Sequence, residues 1–388
     1  MKISLVANTS WSIYNFRLEV AQHLRDLGHA IYVIAPRDKH SEKLIAENFT
    51  FIEAPIKPYS INPIDDIIYF FFLMKIYRQY QFDHVFHYTI KSNVYGSIAA
   101  KIRGLSSTAV ITGLGRLLNM ENGWKKHLVH SLYRLACKNT DHLWFLNKED
   151  VQYFEKKKLL SSSNYFVLPS EGVNLKLYKQ NADTNSDISF LFAGRLLKEK
   201  GIYIFLEAAE KVKQYYPEIG FDIVGFIDTK DDDSVEQSQL IDFQSRGIVQ
   251  FHGDTEDIKP YISLCSCVVL PSSYGEGVSR ILLEAAAMST PIIASSNRGC
   301  AEVVVDGYNG FLCEQKNVDS LVDQMLAFIT LDSEARYIMG ENGRKRVEKN
   351  YSVIRVIDIY VRHLTLEKPV QVKNQNTTFS PQGCQFEK

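Results

Sequence analysis

Along the first 170 residues, short runs of apolar and β-branched residues alternate with longer stretches whose apolar positions recur every three or four residues. The runs KISLVAN, AIYVIAP, FTFIEAPI, DHVFHYT, AVITGLG, HLWFLN and YFVLPS read as strands. Between them the period predicts helices over 14–27, 40–47, 63–79, 93–103, 124–138 and 148–159. A polar break, NADTNSD, interrupts the alternation. It resumes with the strand-like runs ISFLFAGRL, FDIVGFI, VQFHG, CVVLPSS and PIIAS. Helices are expected over 201–216, 235–246 and 258–264, from 278, and from about 319, 333 and 353. Strand, helix, strand in this order predicts a parallel sheet covered on both faces, and the recurrence predicts two doubly wound α/β domains. The boundaries fall at 1–180 for the first domain, 181–187 for a linker, 188–350 for the second domain and 351–367 for a closing helix. The polar tail, 368–388, has little to bury and is expected to be disordered.

Charge adds an asymmetry to this plan. Residues 1–170 hold 21 Lys+Arg and 14 Asp+Glu, a balance of +7, whereas the remainder holds 23 and 31, a balance of −8. A basic first half points to an anionic partner there, a membrane surface or a phosphorylated acceptor; inert surface charge is the competing reading. Two helices of that half have membrane-like chemistry. Residues 67–80, IIYFFFLMKIYRQY, are very apolar but fewer than the roughly 20 needed to span a bilayer, so this helix is either buried or interfacial. The segment WKKHLVHSLYRLACK sets Lys125, Lys126, Arg134 and Lys138 among Trp124, Leu128, Leu132 and Leu135, as in a helix lying on an anionic surface or an ordinary amphipathic packer. The cysteines, at 137, 265, 267, 300, 313 and 384, lack C-x-x-C spacing and fit reduced thiols in a cytoplasmic protein. No N-terminal stretch has the make-up of a secretory leader.

Candidate chemistry concentrates in the second half. In residues 271–296 a buried strand ends in PSS, YGEG turns the chain, and an apolar helix runs from Val278 until Pro291. Gly277 permits close backbone approach, and amides of Val278 and Ser279 at a helix N-terminus make an anion site. Glu276 and Glu284 lie eight positions apart, roughly 12 Å along a helix axis at about 1.5 Å per residue. That exceeds the separation of about 5 to 9.5 Å in a glycosidase pair and suits a ligand held at both ends. A second anion site follows ISFLFAGRLLKEKG: the strand ends at Gly194, and Arg195, Lys198 and Lys200 precede a helix. Arginine's planar fork and lysine's point charge suit phosphate oxygens, so the two loops converge on one diphosphate.

GRLLKEKG resembles the G-R-x4-K-G motif, and EGVSRILLE the E-x7-E motif, of family 4 retaining glycosyltransferases with the GT-B architecture. EGVNLKLY (171–178) and DGYNGFL (306–312) are similar to further segments of that family. SWSIYNFR (10–17), YTIKSNVYG (88–96) and ITGLG (111–115) resemble a narrower group, bacterial enzymes that extend undecaprenyl-diphosphate-linked sugars. The resemblance implies two facing Rossmann-like domains with the donor on the second, the acceptor on the first, and the closing helix packed back on the first. It implies that Glu284 accepts hydrogen bonds from ribose hydroxyls, that Glu276 reads donor-sugar hydroxyls, and that Arg195 and Lys200 neutralise the diphosphate. Gly194, Gly277, Val278 and Ser279 complete the donor site. It further implies that the leaving phosphate itself takes the acceptor's proton, so that neither glutamate is expected to act as a base and no metal or other cofactor is expected. The implied partners are a nucleotide sugar, with UDP as the nucleotide, a polyprenyl-diphosphate sugar, and the cytoplasmic face of the inner membrane as a peripheral site; no nucleic acid is expected.

On the acceptor side, Lys91, Asn93 and Arg17 are the candidates, because they follow strand ends where sites collect in parallel sheets. His87 reads chiefly as a core or strand-end histidine. The acidic run 231–233 has no second ligand cluster and reads as a solvated turn. Two other functions share this architecture, a sugar-nucleotide epimerase and a non-catalytic nucleotide-sugar-binding subunit.

Overall fold

A computed structural model of the chain describes residues 1–57, 62–114, 123–160, 165–180, 187–228, 231, 233–273 and 277–365. In the first half, strands β1 (Lys2–Val6), β2 (Ala30–Ala35), β3 (Thr50–Glu53), β4 (His84–Tyr88), β5 (Ser106–Ile111), β6 (His142–Phe145) and β7 (Tyr165–Val167) form one sheet in the order β3-β2-β1-β4-β5-β6-β7. Its helices are α1 (Ser10–Asp26), α2 (Ser41–Ala46), α3 (Pro63–Tyr80), α4 (Ser97–Arg103), α5 (Trp124–Asn139) and α6 (Lys148–Lys156). A second sheet, in the order β10-β9-β8-β11-β12-β13, is built from β8 (Ser189–Ala193), β9 (Gly220–Val224), β10 (Gln250–Phe251), β11 (Cys267–Leu270), β12 (Ile292–Ser295) and β13 (Gly310–Cys313). It carries α7 (Ile202–Lys213), α8 (Gln237–Ser245), α9 (Lys259–Leu264), α10 (Arg280–Ala287), α11 (Arg298–Val303), α12 (Val318–Thr330) and α13 (Ser333–Asn350). The last helix, α14, is Val353–Thr365.

Every pairing in both sheets is parallel, as the βαβ alternation requires. Central strands are buried on both faces, which is why β11 and β12 read as unbroken apolar runs rather than alternating ones. Two elements escape the periodic reading. The strand β13 is a tetrapeptide, GFLC, too short to display a period, and α11 has six residues capped by Asn297, whose side chain accepts from the Cys300 amide at 2.9 Å. Helix α1 begins at Ser10, well ahead of the expected start at 14, because extended Thr9 caps it by accepting from the Ser12 amide. The segment expected as one helix from Asn93 instead opens with a π-helical turn, Ser92–Gly96, before α4.

The chain crosses between the sheets twice, and the crossings are bonded side by side. Val173 donates to the Tyr351 carbonyl (2.9 Å) and accepts from the Val353 amide (3.0 Å). The second crossing returns α14 to the first sheet, where Tyr360 meets Phe86, Trp144 and Tyr88, the two tyrosine hydroxyls lying 3.0 Å apart. The closing helix thus packs on the first domain. It also carries His363, which shares the Thr108 hydroxyl with His84, each at 2.9 Å. Burial, reinforced by neighbouring histidines, pushes the His84 pKa well below its ordinary value and that of His363 down to about 3. In the unfolded chain both titrate near about 6.5, so the unfolded state binds more protons below that pH and stability falls as pH drops through that window. Between about pH 7 and pH 5, His363→Gln is expected to lose about 2 kcal/mol less stability than the wild type in urea unfolding. Equal losses would mean that His363 is not held neutral.

Candidate functional site

Strands β8 and β11 are neighbours at the point where the strand order of the second sheet reverses, the crevice in which open α/β sheets take ligands. After β8 come Gly194 and the half-buried Arg195, then a single 3-10 turn, Lys198–Lys200. Asp233 holds that turn: its carbonyl accepts from the Lys198 amide (2.8 Å) and its carboxylate from the Glu199 amide (3.1 Å). The acidic run is therefore partly structural, with Asp232 outside the described residues. Gly201 follows in the left-handed region, at φ +84°, where a Cβ would collide with the Pro271 carbonyl. Only glycine lets this turn lie against the end of β11. Across the contact the Ser273 amide donates to the Glu199 carbonyl at 2.8 Å. The two predicted anion loops are thus bonded into one unit, which brings Arg195 and Lys200 beside the loop leading to α10.

Residues 274–276 lie outside the described residues, and Glu276 with them. Helix α10 starts at Arg280 with extended Ser279 as its cap, so its first-turn amides are those of 280–282 rather than of Val278 and Ser279. Gly277 approaches the first domain closely: a Cβ there would stand 2.8 Å from the Thr112 carbonyl, just beyond β5. Further contacts join the domains beside the cleft, Lys43 with Glu256 at 2.9 Å and Arg298 with the Glu149 carbonyl at 3.4 Å.

Glu284 is buried on α10. Its Oε1 accepts from the Tyr178 hydroxyl (2.7 Å) and from Arg280 Nε (2.8 Å). Arg280 Nη1 donates in turn to the Gly172 carbonyl at 2.9 Å, on the first interdomain crossing. Burial acts against the Arg280 charge, but the Glu284 carboxylate outweighs it and raises the pKa above the ordinary value. Burial, then the neighbouring carboxylate, raises the Tyr178 pKa, which keeps its hydroxyl a donor. Sequence reading missed Tyr178, Arg280 and Asp233. Arg280 had a legible signal, since i and i+4 on a helix are neighbours; Tyr178 closes the EGVNLKLY segment, but its pairing with Glu284, distant in sequence, had none.

The acceptor-side candidates are tied into the first domain. Arg17 is buried, paired with Glu171, and its guanidinium carbon stands 4.2 Å from the centre of the Tyr88 ring. Lys91 pairs with Asp66 at 2.7 Å. Asn93 donates to the Val110 carbonyl at 3.0 Å within the π-helical turn. His87 is fully buried and bonded to the Tyr77 hydroxyl at 2.9 Å, and burial pushes its pKa down to about 3. It is a core histidine.

Two facing doubly wound domains, with a cation-bearing turn and a buried carboxylate at the switch point of the second, define a GT-B-type nucleotide-sugar enzyme. Residues 173–346 match the family model described as "Glycosyl transferases group 1", and residues 2–147 match "Glycosyl transferase 4-like". The chain is a glycosyltransferase whose two halves match these two glycosyltransferase models. It is 27% identical over 383 residues to the N,N'-diacetylbacillosaminyl-diphospho-undecaprenol alpha-1,3-N-acetylgalactosaminyltransferase of Campylobacter jejuni, covering 93% of this chain and 99% of that one. To the UDP-Gal:alpha-D-GlcNAc-diphosphoundecaprenol alpha-1,3-galactosyltransferase of Escherichia coli it is 26% identical, covering 77% and 79%. The fold is shared with Anabaena HepE, solved with UDP and glucose, at a TM-score of 0.77 and 18% identity over 94% of this chain and 99% of that one.

Proposed function

We propose that this transferase moves an N-acetylhexosamine or related sugar, with retention, from UDP to a sugar carried on a polyprenyl diphosphate, in the assembly of a surface polysaccharide or glycan. The observation that carries this reading is the hydrogen-bonded union of the Arg195–Lys200 turn with the β11–α10 loop that leads to Glu284. The names of the two relatives above support it, since both describe transfer involving diphosphoundecaprenol-linked sugars. In the reaction, the acceptor hydroxyl oxygen bonds to the anomeric carbon as the bond from that carbon to the β-phosphate oxygen breaks. The electron pair leaves with UDP, and the acceptor's proton passes to the departing phosphate. Arg195, Lys200 and the first amides of α10 stabilise the growing phosphate charge, while Glu276 holds the donor sugar and Glu284 the ribose. Acceptor contacts are assigned to the strand-end region around Lys91 and Asn93, with Arg17 holding the crossing beside it. This chemistry needs no metal.

The acceptor's lipid implies a bilayer, and a surface of the first domain suits one. Helix α3 buries Tyr69, Leu73, Ile76 and Tyr77, yet its other face exposes Ile64, Ile67, Ile68 and Phe71, the outermost two by 63% and 64%. On α5, Trp124, Leu128 and Leu135 are exposed among Lys126, Arg134 and Lys138, and α4 packs against both helices. An exposed apolar stripe beside cations fits an anionic phospholipid surface on the cytoplasmic side. Among the described residues no helix is long and apolar enough to cross a membrane.

Vesicles of phosphatidylglycerol and phosphatidylethanolamine, with or without a polyprenyl-diphosphate sugar, test both points when incubated with enzyme, labelled UDP-N-acetylhexosamine and EDTA. Label is expected in lipid only when acceptor is present. An epimerised free nucleotide sugar without transfer overturns the reading. In flotation, Ile67→Ser/Phe71→Ser is expected to release the protein from the vesicles; equal flotation of variant and wild type rejects the α3 surface.

A further inference from the structure

We propose that Tyr178 and Arg280 are positioning residues that clamp Oε1 of Glu284 and thereby present Oε2 to the ribose diol of the donor. The inference rests on the reading of Glu284 as the ribose handle. A carboxylate has two oxygens and accepts only. Both donors that reach Glu284 fall on the same one, the Tyr178 hydroxyl at 2.7 Å and Arg280 Nε at 2.8 Å. Among the described residues Oε2 receives no hydrogen bond, although the residue is only 8% exposed. That oxygen is not among the buried unpartnered atoms, so it stays open to a ligand hydroxyl. Fixing one oxygen also fixes the direction of the other, so the diol meets an acceptor whose rotamer entropy is already lost.

The clamp is referenced to more than its own helix. Arg280 Nη1 holds the Gly172 carbonyl, and the preceding residue, Glu171, is held by Arg17 of α1. Two arginines, one from each domain, thus grip adjacent residues of the crossing. The carboxylate is thereby oriented with respect to the crossing as well as to α10. Lysine at 280 would keep a charge but lose the fork that reaches Glu284 and Gly172 together.

The test is calorimetric binding of UDP and of 2′,3′-dideoxy-UDP to the wild type and to Tyr178→Phe, which removes one oxygen from a side chain whose ring stays in place. The wild type is expected to prefer UDP by about 10-fold or more, as for a charged acceptor meeting two hydroxyls. Tyr178→Phe is expected to weaken UDP by about 5-fold and dideoxy-UDP by less than about 2-fold, so the preference shrinks. Arg280→Lys is expected to shrink it likewise, and in turnover the donor KM should rise with kcat nearly unchanged. A purely structural role would weaken both ligands alike. That outcome, or an undiminished preference in Tyr178→Phe, overturns the clamp alone. A wild type that fails to distinguish the two nucleotides overturns the ribose reading and the clamp with it.

Discussion

Lys200→Ala is expected to lower turnover by about a thousandfold while leaving the unfolding midpoint close to that of the wild type. As the anomeric bond stretches, charge accumulates on the leaving β-phosphate, and a cation fixed beside that group stabilises the transition state more than the ground state. The effect should therefore fall mainly on kcat, with a smaller rise in donor KM. Backbone groups hold the turn. Lys200 is held through its amide on the Leu197 carbonyl (3.0 Å), and neighbouring amides bond to Asp233 and Lys198. Loss of activity in a protein of unchanged stability is thus attributable to chemistry. Arg195→Lys keeps the charge and loses the planar fork, so an intermediate rate is expected. Full activity in Lys200→Ala would remove the cation from the mechanism.

Legibility in the sequence follows the range over which each physical cause acts. The buried strands of both sheets were visible because each is an unbroken apolar run between turn residues, and the order of strands and helices sufficed for two doubly wound domains. The Arg195–Lys200 and 271–296 motifs were visible for the same reason, since each is one strand-to-helix loop. What escaped depends on contacts between distant segments. The Tyr178 hydroxyl meets Glu284, Asp233 caps the Lys198–Lys200 turn, and Gly201 lies under the Pro271 carbonyl. No local pattern announces these. Side-chain commitment was equally hidden: Lys91 looks in sequence like a cation beside a helix start, and in the fold it meets Asp66 of α3. Helix α3 was ambiguous in sequence because it is apolar on both faces, one turned inward and one exposed.

Arg17 poses the same question with the largest stability at stake. Arg17→Ala is expected to destabilise the protein by about 3–5 kcal/mol, because it leaves the Glu171 carboxylate uncompensated at the interdomain crossing. The Arg17 side chain is only 5% exposed and that of Glu171 15%, and the guanidinium also donates to the Ser12 carbonyl at 3.2 Å. Burial opposes its charge, but Glu171 and the hydroxyls of Tyr88 and Tyr360 outweigh that opposition and raise its pKa. Removing both charges at once has a different cost. Arg17→Met/Glu171→Leu exchanges the pair for apolar volume, and buried pairs replaced in this way recover most or all of the loss. The double variant is therefore expected to be much more stable than Arg17→Ala, as read by urea unfolding. Its activity then separates two roles for Arg17. If the pair serves only to hold the crossing, transfer to the polyprenyl-diphosphate acceptor returns with stability, and this is the expected result. If the guanidinium turns toward the acceptor during the reaction, the stable double variant keeps a raised acceptor KM.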